Sequence, residues 1–231
     1  MSAFNVLKPN HFMLGLDFHD ALIPPSPKPI PLIPHTVFAP MEGYVGAASV
    51  SRAAKVKVEF VDALKRGTDI GIGIPHVGAN LLLPLVIAGS GSKSYFGANT
   101  VRLEGVGIAV GVLKTQNINL NCGGSTSPPT PTGLVMAPST VRAGMTQGDL
   151  AAGLLHMVAE GTIQYGIGLG LGLIGDGPIE GVLQLLLGYV IGTPLGYSFK
   201  GGVLGPLYEK IGKGHDAIAD YFNDPSRRVF M

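Results

Sequence analysis

The sequence predicts a mainly β protein of short hairpins, followed by a Gly-rich, helical extension. Three observations point there. With 35 glycines and 18 prolines in 231 residues and no collagen period, the chain must make many tight turns between short strands. Apolar and polar residues alternate with period two at 55–60 and again at 117–121, the pattern of half-buried strands. Near Asp149 the texture changes to apolar residues at helical spacing, then to glycines alternating with Ile and Leu. An apolar fraction of 46% argues against disorder, and the length suffices for a core in one or two domains. The division expected is a β domain over 10–150 and an apolar extension over 151–231.

In chain order, residues 1–14 are mixed, and His11, between Asn10 and Phe12, reads as a solvated histidine or a substitute metal ligand. Residues 23–34 carry Pro at 24, 25, 27, 29, 31 and 34. Proline lacks a donor and restricts its predecessor, so this stretch predicts extended chain and neither helix nor central strand. It is either a linker or a rigid strap between His19 and His35. In the strand at 55–60, Val56, Val58 and Phe60 are expected to face in, with Lys55, Lys57 and Glu59 facing out. Gly71-Ile72-Gly73 is no phosphate cradle, because Ile74-Pro75-His76 blocks entry into a helix. The apolar run at 81–88 contains Pro84 and reads as a buried strand or an apex covered by a partner. Thr100-Val101-Arg102 and Thr140-Val141-Arg142 echo each other ahead of Gly-rich turns, which suggests repeated hairpins about an approximate axis. The alternating strand at 117–121 delivers Cys122 at its end, and 123–133 is a loop by composition.

In the extension, Leu150, Leu154, Leu155 and Val158 mark a helix that also carries His156. Residues 181–199 are uncharged, and they read as a buried hairpin, a packing surface for other chains or a membrane-inserting segment. An amphipathic helix is expected at 206–223, with Leu207, Ile211, Ala217, Ile218 and Phe222 on its apolar side.

Charge and cysteine usage narrow the function classes. Net charge is +1, charged residues make up 13%, and no basic stripe is present, which disfavours a nucleic-acid partner. Low charge with positive mean hydropathy suggests surfaces covered by partners. One cysteine rules out an internal disulfide and leaves a metal ligand, a free thiol or a nucleophile. The opening Met-Ser-Ala-Phe-Asn-Val-Leu-Lys shows no secretory signal, so the expected location is the cytoplasm, with any export by another route.

Three histidines and the cysteine sit in tight Pro/Gly settings: Asp17-Phe18-His19, Ile33-Pro34-His35, Ile74-Pro75-His76 and Asn121-Cys122-Gly123. Neutral imidazole and thiolate are good tetrahedral zinc ligands, and three His plus one Cys fill a closed structural site. Their long spacing matches no local zinc signature, so the other reading is four unrelated polar residues on loops. Asp17 and Asp20 flank His19, either as a hydrogen-bond partner to a ligating imidazole or as solvated turn acids. A Cys122, His76 and Asp69 hydrolase is the enzymatic alternative, but Cys122 opens no helix that would lower its pKa. No paired-carboxylate, hydrolase or transferase constellation stands out, so no enzyme activity is expected.

The ordered motifs carry a resemblance. Gly15-Leu16-Asp17-Phe18-His19, the proline-rich run to His35, Ile74-Pro75-His76 ahead of Gly89-Ser90-Gly91-Ser92, and the late lone cysteine resemble PAAR-like spike-tip domains over residues 10–150. These domains cap the trimeric VgrG-type spike of type VI secretion systems and related contractile injection machines. The Pro-Ala-Ala-Arg tetrapeptide is absent. Its nearest equivalents are Val106-Gly107-Ile108-Ala109-Val110 and Val141-Arg142-Ala143-Gly144. The resemblance implies a cone of short β-hairpins and a structural zinc on His19, His35, His76 and Cys122. It also implies a VgrG-type trimer as docking partner and export on the spike without a signal peptide. An effector or chaperone at 151–231 and contact with a target membrane are the further partners it suggests, and a membrane-active effector working through 161–199 is a second alternative function.

Overall fold

The computed structural model describes residues 2–41, 52–68, 74–84, 87, 94–111, 116–117, 133–172 and 205–227, and within them the protein is mainly β, as expected. The strands are β1 (Ser2–Asn5), β2 (Phe12–Ala21), β3 (Ile30–Pro40), β4 (Arg52–Val58), β5 (Val61–Leu64), β6 (His76–Val77), β7 (Gly97–Leu103), β8 (Val106–Ala109), β9 (Gln116–Asn117), β10 (Gly133–Met136) and β11 (Arg142–Met145). Two helices follow, α1 (Gln147–Gly172) and α2 (Gly205–Asn223).

One five-stranded sheet, in the order β6-β3-β2-β10-β9, holds the long hairpin β2–β3 near its middle. Two-stranded ladders β1-β11, β4-β5 and β7-β8 complete the β part. The two Thr-Val-Arg echoes fall in different ladders, one on β7 and one leading into β11.

Alternation along β2 and β3 sorts their side chains into two faces. Met13, Val37, Ala39 and Val135 point inward and are buried with Leu7, Met41, Leu64 and Ile74. Phe12, Leu14, Leu16, Phe38, Leu134 and Met136 stand on the opposite face and are exposed. A second core gathers Val6, Tyr95, Phe96, Leu103, Ile108, Val110 and Met145, with Leu150 and Met157 of α1 packed on it.

The proline-rich stretch forms neither helix nor central strand, as predicted, and its second half is extended and joins a sheet. β3 begins at Ile30 and runs through Pro31 and Pro34 while paired with β2 on one side. The reason is local: β6 flanks β3 only at Thr36 and Val37, so residues 30–35 form an edge, where proline is tolerated. The strand at 55–60 ends sooner than expected. β4 stops at Val58, and Glu59 and Phe60 form the turn to β5 with φ of 49° and 70°. Val58 is buried, Val56 is half exposed and Phe60 is 97% exposed. The Glu59 carboxylate holds this left-handed turn by accepting from Lys8 Nζ and from the Thr140 N–H and hydroxyl at 2.6 Å. Within the apolar run, residues 81–82 form a turn and 83–84 are helical, rather than a buried strand. The Asn80 Oδ1 accepts the N–H of Leu22 at 3.0 Å and of Leu82 at 2.9 Å, which fastens it to the end of the β2–β3 hairpin.

Helix α1 starts with a capping box. Thr146 Oγ1 accepts the Asp149 N–H at 3.0 Å, and Asp149 Oδ2 accepts the Thr146 N–H at 2.9 Å. Its packing face is not the apolar stripe the sequence suggested: Leu154, Leu155 and Val158 are exposed. The buried residues are small or polar, namely Gly148, Asp149, Ala152, Gly153, His156 and Glu160. Small residues win because neighbours come very close. A Cβ on Gly148 would lie 2.3 Å from the Ala219 carbonyl of α2, and one on Gly153 would lie 2.6 Å from the Phe96 ring. Helix α2 forms where predicted, but His215 and Ala219 are its fully buried residues. No helix of the described residues is long and apolar enough to cross a membrane. The expectations for Gly71–Gly73, for the alternating strand beyond Asn117, for Cys122, for the loop at 123–132 and for 181–199 lie outside the described residues.

Candidate metal centre

The inner face of the β2–β3 hairpin changes character toward its closed end. Met13 is opposite Ala39 and Gly15 opposite Val37, an apolar floor. Asp17 is then opposite His35, and His19 opposite Ile33. Residues two apart on a strand share a face, so Asp17 and His19 project together. His76 opens β6 beside Val37 and comes in from the flank. Asp17, His19, His35 and His76 are all buried, at 6% exposure or less.

The three imidazoles form one cluster. The ring of His19 lies 5.1 Å from that of His35 and 5.0 Å from that of His76, both edge-on. Asp17, His19 and His76 each offer a ligand atom, and these atoms lie within 4.8 Å of one another. A buried group able to hold a metal ion is therefore present.

The repeated Ile-Pro-His motif explains how two of the rings are aimed. His35 Nδ1 lies 3.0 Å from the Ile33 carbonyl, and His76 Nδ1 lies 2.7 Å from the Ile74 carbonyl. A carbonyl only accepts, so both Nδ1 atoms carry the proton and donate. The intervening proline has a fixed φ and no N–H, which holds the carbonyl facing back toward the ring. Each neutral ring then presents an Nε2 lone pair, the tautomer control seen at metal-ligating histidines. Among the described residues, the Nε2 atoms of His19 and His35 are buried with no hydrogen-bond partner. Buried nitrogens without partners cost free energy unless something accepts them, and a cation does so. His76 Nε2 lies 2.9 Å from Asp17 Oδ2. Since Nδ1 already donates to Ile74, that contact is either an imidazolium–carboxylate pair or two ligand atoms facing one ion. The donor set fits a metal.

Electrostatics favours the ligating form. Burial pushes the His19 pKa down to about 3, against the pull of Asp17, with His76 and His35 adding to the fall. Burial also lowers His35, opposed by its hydrogen bond to Ile33. His11 is buried rather than solvated; its Nδ1 accepts the Lys8 N–H at 3.2 Å, and burial with the Lys8 charge pushes it to about 4. It does not join the cluster: eight residues of strand from His19 correspond to roughly 26 Å.

A pH dependence follows. Folded His11 and His19 stay neutral down to about 4 and about 3, whereas unfolded histidine protonates near 6.5. Below about 6.5 the unfolded chain binds more protons, so stability is present above that pH and is lost as pH falls. For His19 alone the loss by pH 5 is about 2 kcal/mol, at about 1.4 kcal/mol per unit. Urea midpoints of chelator-treated protein should fall between pH 7 and 5 and stay flat from 7 to 8.

Gly78 sets a second expectation. A Cβ there would lie 2.3 Å from His35 Cδ2, so the glycine is what lets β6 close over that ring. Gly78→Ala should weaken metal affinity on the order of 10-fold or more, the scale at which disturbed ligand orientation affects such sites. Competition with a chromophoric chelator measures it, with circular dichroism expected to remain unchanged.

Of the four ligands expected from the sequence, the structure brings the ligand atoms of His19 and His76 together, with Asp17; the His35 ring packs edge-on against His19 without joining that ligand-atom group, and Cys122 lies outside the described residues. Asp17 has a larger part than expected. The carbonyls of Ile33 and Ile74 orient the rings, and Asp17 stands on the ligand side. The Asp17-Phe18-His19 spacing carried that signal, since it puts both side chains on one strand face. Sequence reasoning also passed over a second buried cluster, His156, Glu160 and His215. Its signal was the four-residue spacing of His156 and Glu160 on a helix. No family model matches the chain, and neither the curated proteins nor the solved structures include a significant match.

Proposed function

We propose that this chain is a non-catalytic, zinc-clamped spike tip that caps a VgrG-type trimer of a contractile injection system and is exported with it. The observation that carries this reading is the His19, His35 and His76 cluster, with its two partnerless Nε2 atoms, where the apolar floor of the hairpin ends. Toward the hairpin end the inward positions 17, 19 and 35 are polar, which leaves little hydrophobic core there. Metal–ligand bonds supply folding free energy there and cross-link distant segments. His19, His35 and His76 would hold the ion, with Cys122 as fourth ligand and the Asp17 carboxylate against the same ion. Zinc suits this set of imidazole, thiolate and carboxylate.

The outer face of the same sheet supports the docking part. Leu14 pairs with Phe38 on one side and Leu134 on the other, Phe12 with Met136, and the Phe12 and Phe38 rings stack at 5.0 Å. No charged residue stands among residues 12, 14, 16, 34, 36, 38, 77, 134 and 136, the part of this outward face away from Asp20. An uncharged apolar sheet face of this extent marks a protein interface. The trimer end is the occupant we assign to it, with effector or chaperone binding left to the helical part.

Co-expression with a VgrG-type trimer and purification through a tag on the trimer tests the reading. This protein should co-elute at one tip per trimer. Absence of the complex, with both proteins folded, would contradict it. Thiol alkylation separates the hydrolase alternative: a zinc-bound Cys122 resists alkylation until chelator is added, whereas a catalytic thiol reacts at once at neutral pH.

A further inference from the structure

We infer that the contact between α1 and α2 is a pH-sensitive latch, closed at neutral pH and opened in mild acid, built on His156, Glu160 and His215. It does not depend on the spike-tip reading. His156 and Glu160 lie one turn apart on α1, and His215 comes from α2. Glu160 and His215 are fully buried and His156 is 6% exposed.

The geometry limits how many protons the closed contact can hold. His156 Nε2 lies 2.9 Å from Glu160 Oε1. Imidazole is the stronger base of the two, so the proton between them stays on Nε2 and is donated to the carboxylate. His156 Nδ1 then faces His215 Nδ1 at 3.3 Å. One proton fits between two nitrogens at that distance, and a second would set two N–H groups head to head. Glu160 compensates one imidazolium in this chain of rings. Two imidazoliums in contact, out of water and with one carboxylate, repel each other. The closed contact therefore takes up one histidine charge and excludes the other. Once the helices part, both rings are hydrated and protonate near 6.5. Acid then adds one more proton to the open form than to the closed one, and the opening constant rises about 10-fold per pH unit below about 6.5.

The charged groups around the pair leave that balance in place. On α2, Asp216 is within electrostatic reach of His215, but it also accepts from Arg66 Nη1 at 2.9 Å and faces Arg102. Two guanidiniums outnumber it, so it does not offset a second imidazolium. From the β part, the Tyr95 ring meets His156 edge-on at 5.1 Å and brings a phenol rather than a carboxylate.

Apolar burial does little to oppose the opening. Helix α1 buries His156 and Glu160 while leaving Leu154, Leu155 and Val158 outside, and α2 leaves Leu207 and Phe222 outside. Gly148 meets Ala219 at the near end of the contact, and its N–H is donated to Asn223 Oδ1 at 3.2 Å. A contact built from small and polar residues draws its stability from the hydrogen-bonded chain, so the charge on that chain decides whether it closes.

Hydrogen exchange read by mass spectrometry on the full chain tests the latch, at pH 7.5, 6 and 5 with the intrinsic pH dependence of exchange corrected for. Protection of residues 205–223 should fall about 10-fold between pH 6 and 5 and return on neutralisation, while β7 and β11 keep theirs. His215→Gln leaves one titrating ring beside Glu160, so this fall should disappear. Glu160→Gln removes the charge that holds the first proton, so the fall should steepen toward 100-fold. Protection of α2 that stays level from pH 7.5 to 5, a loss shared by β7 and β11, or the same loss in His215→Gln would each overturn the latch. The profile of the unmodified chain decides the matter even where a variant fails to fold.

Discussion

Stripping the metal at neutral pH is expected to lower the thermal midpoint by ~20 °C or more, or to abolish the cooperative transition. A structural zinc contributes on the order of 10 kcal/mol to folding, and 1 kcal/mol corresponds to about 2–4 °C for a chain of this size. The end of the β2–β3 hairpin has nothing else of that scale. Asp17, His19 and His35 interrupt the inward face there; of β2 and β3, the buried Ala21 and half-buried Ile33 are the only apolar residues beside them, and the core of Met13, Val37 and Ala39 lies farther up the strands. His19→Ala and His76→Ala should each reproduce the effect of chelation and make the protein indifferent to added chelator. Differential scanning calorimetry with and without chelator reads both. A midpoint that chelation leaves in place would mean that the hairpin end holds without an ion.

The second large effect concerns the outer face of the same sheet. Leu14→Glu combined with Phe38→Glu should abolish capture by the trimer, a loss of roughly 100-fold or more, because apolar residues at the centre of an interface each contribute about 2 kcal/mol or more. Stability should fall by about 1–2 kcal/mol, because the two glutamates stand directly opposite on β2 and β3 and the Phe38 stack on Phe12 is lost, which leaves the protein folded. Calorimetry and pull-down on the same preparation separate the two quantities. Retained binding by a folded double variant would show that the trimer uses another surface.

Much of this was legible in the sequence because its signals are local. Alternation placed β2–β3 side chains on faces, and the Pro/Gly settings marked His19, His35 and His76 as special. What they could not carry was the third dimension. That β6 returns beside Val37, bringing His76 to His19, depends on pairing across some forty residues. The prolines of β3 correctly excluded a central strand but gave no sign of the pairing with β2, because proline is tolerated where the second neighbour, β6, does not reach residues 30–35. Phe60 misled because a two-residue turn, held by Glu59, ended the strand two residues early. Helix α1 misled because glycine lets backbones approach, so Gly148 and Gly153 chose its packing face over Leu154 and Leu155. The same misreading hid His156, whose partners Glu160 and His215 meet only when two helices pack.

The sharpest test of the metal clamp is X-ray absorption at the zinc edge on protein purified without added metal, repeated on His19→Ala, His35→Ala, His76→Ala and Cys122→Ala. A clamped hairpin end predicts a zinc edge whose first shell shows imidazole scattering with one sulfur, and loss of that signal with each histidine. No edge in the unmodified protein, or the same first shell in all four variants, would contradict it.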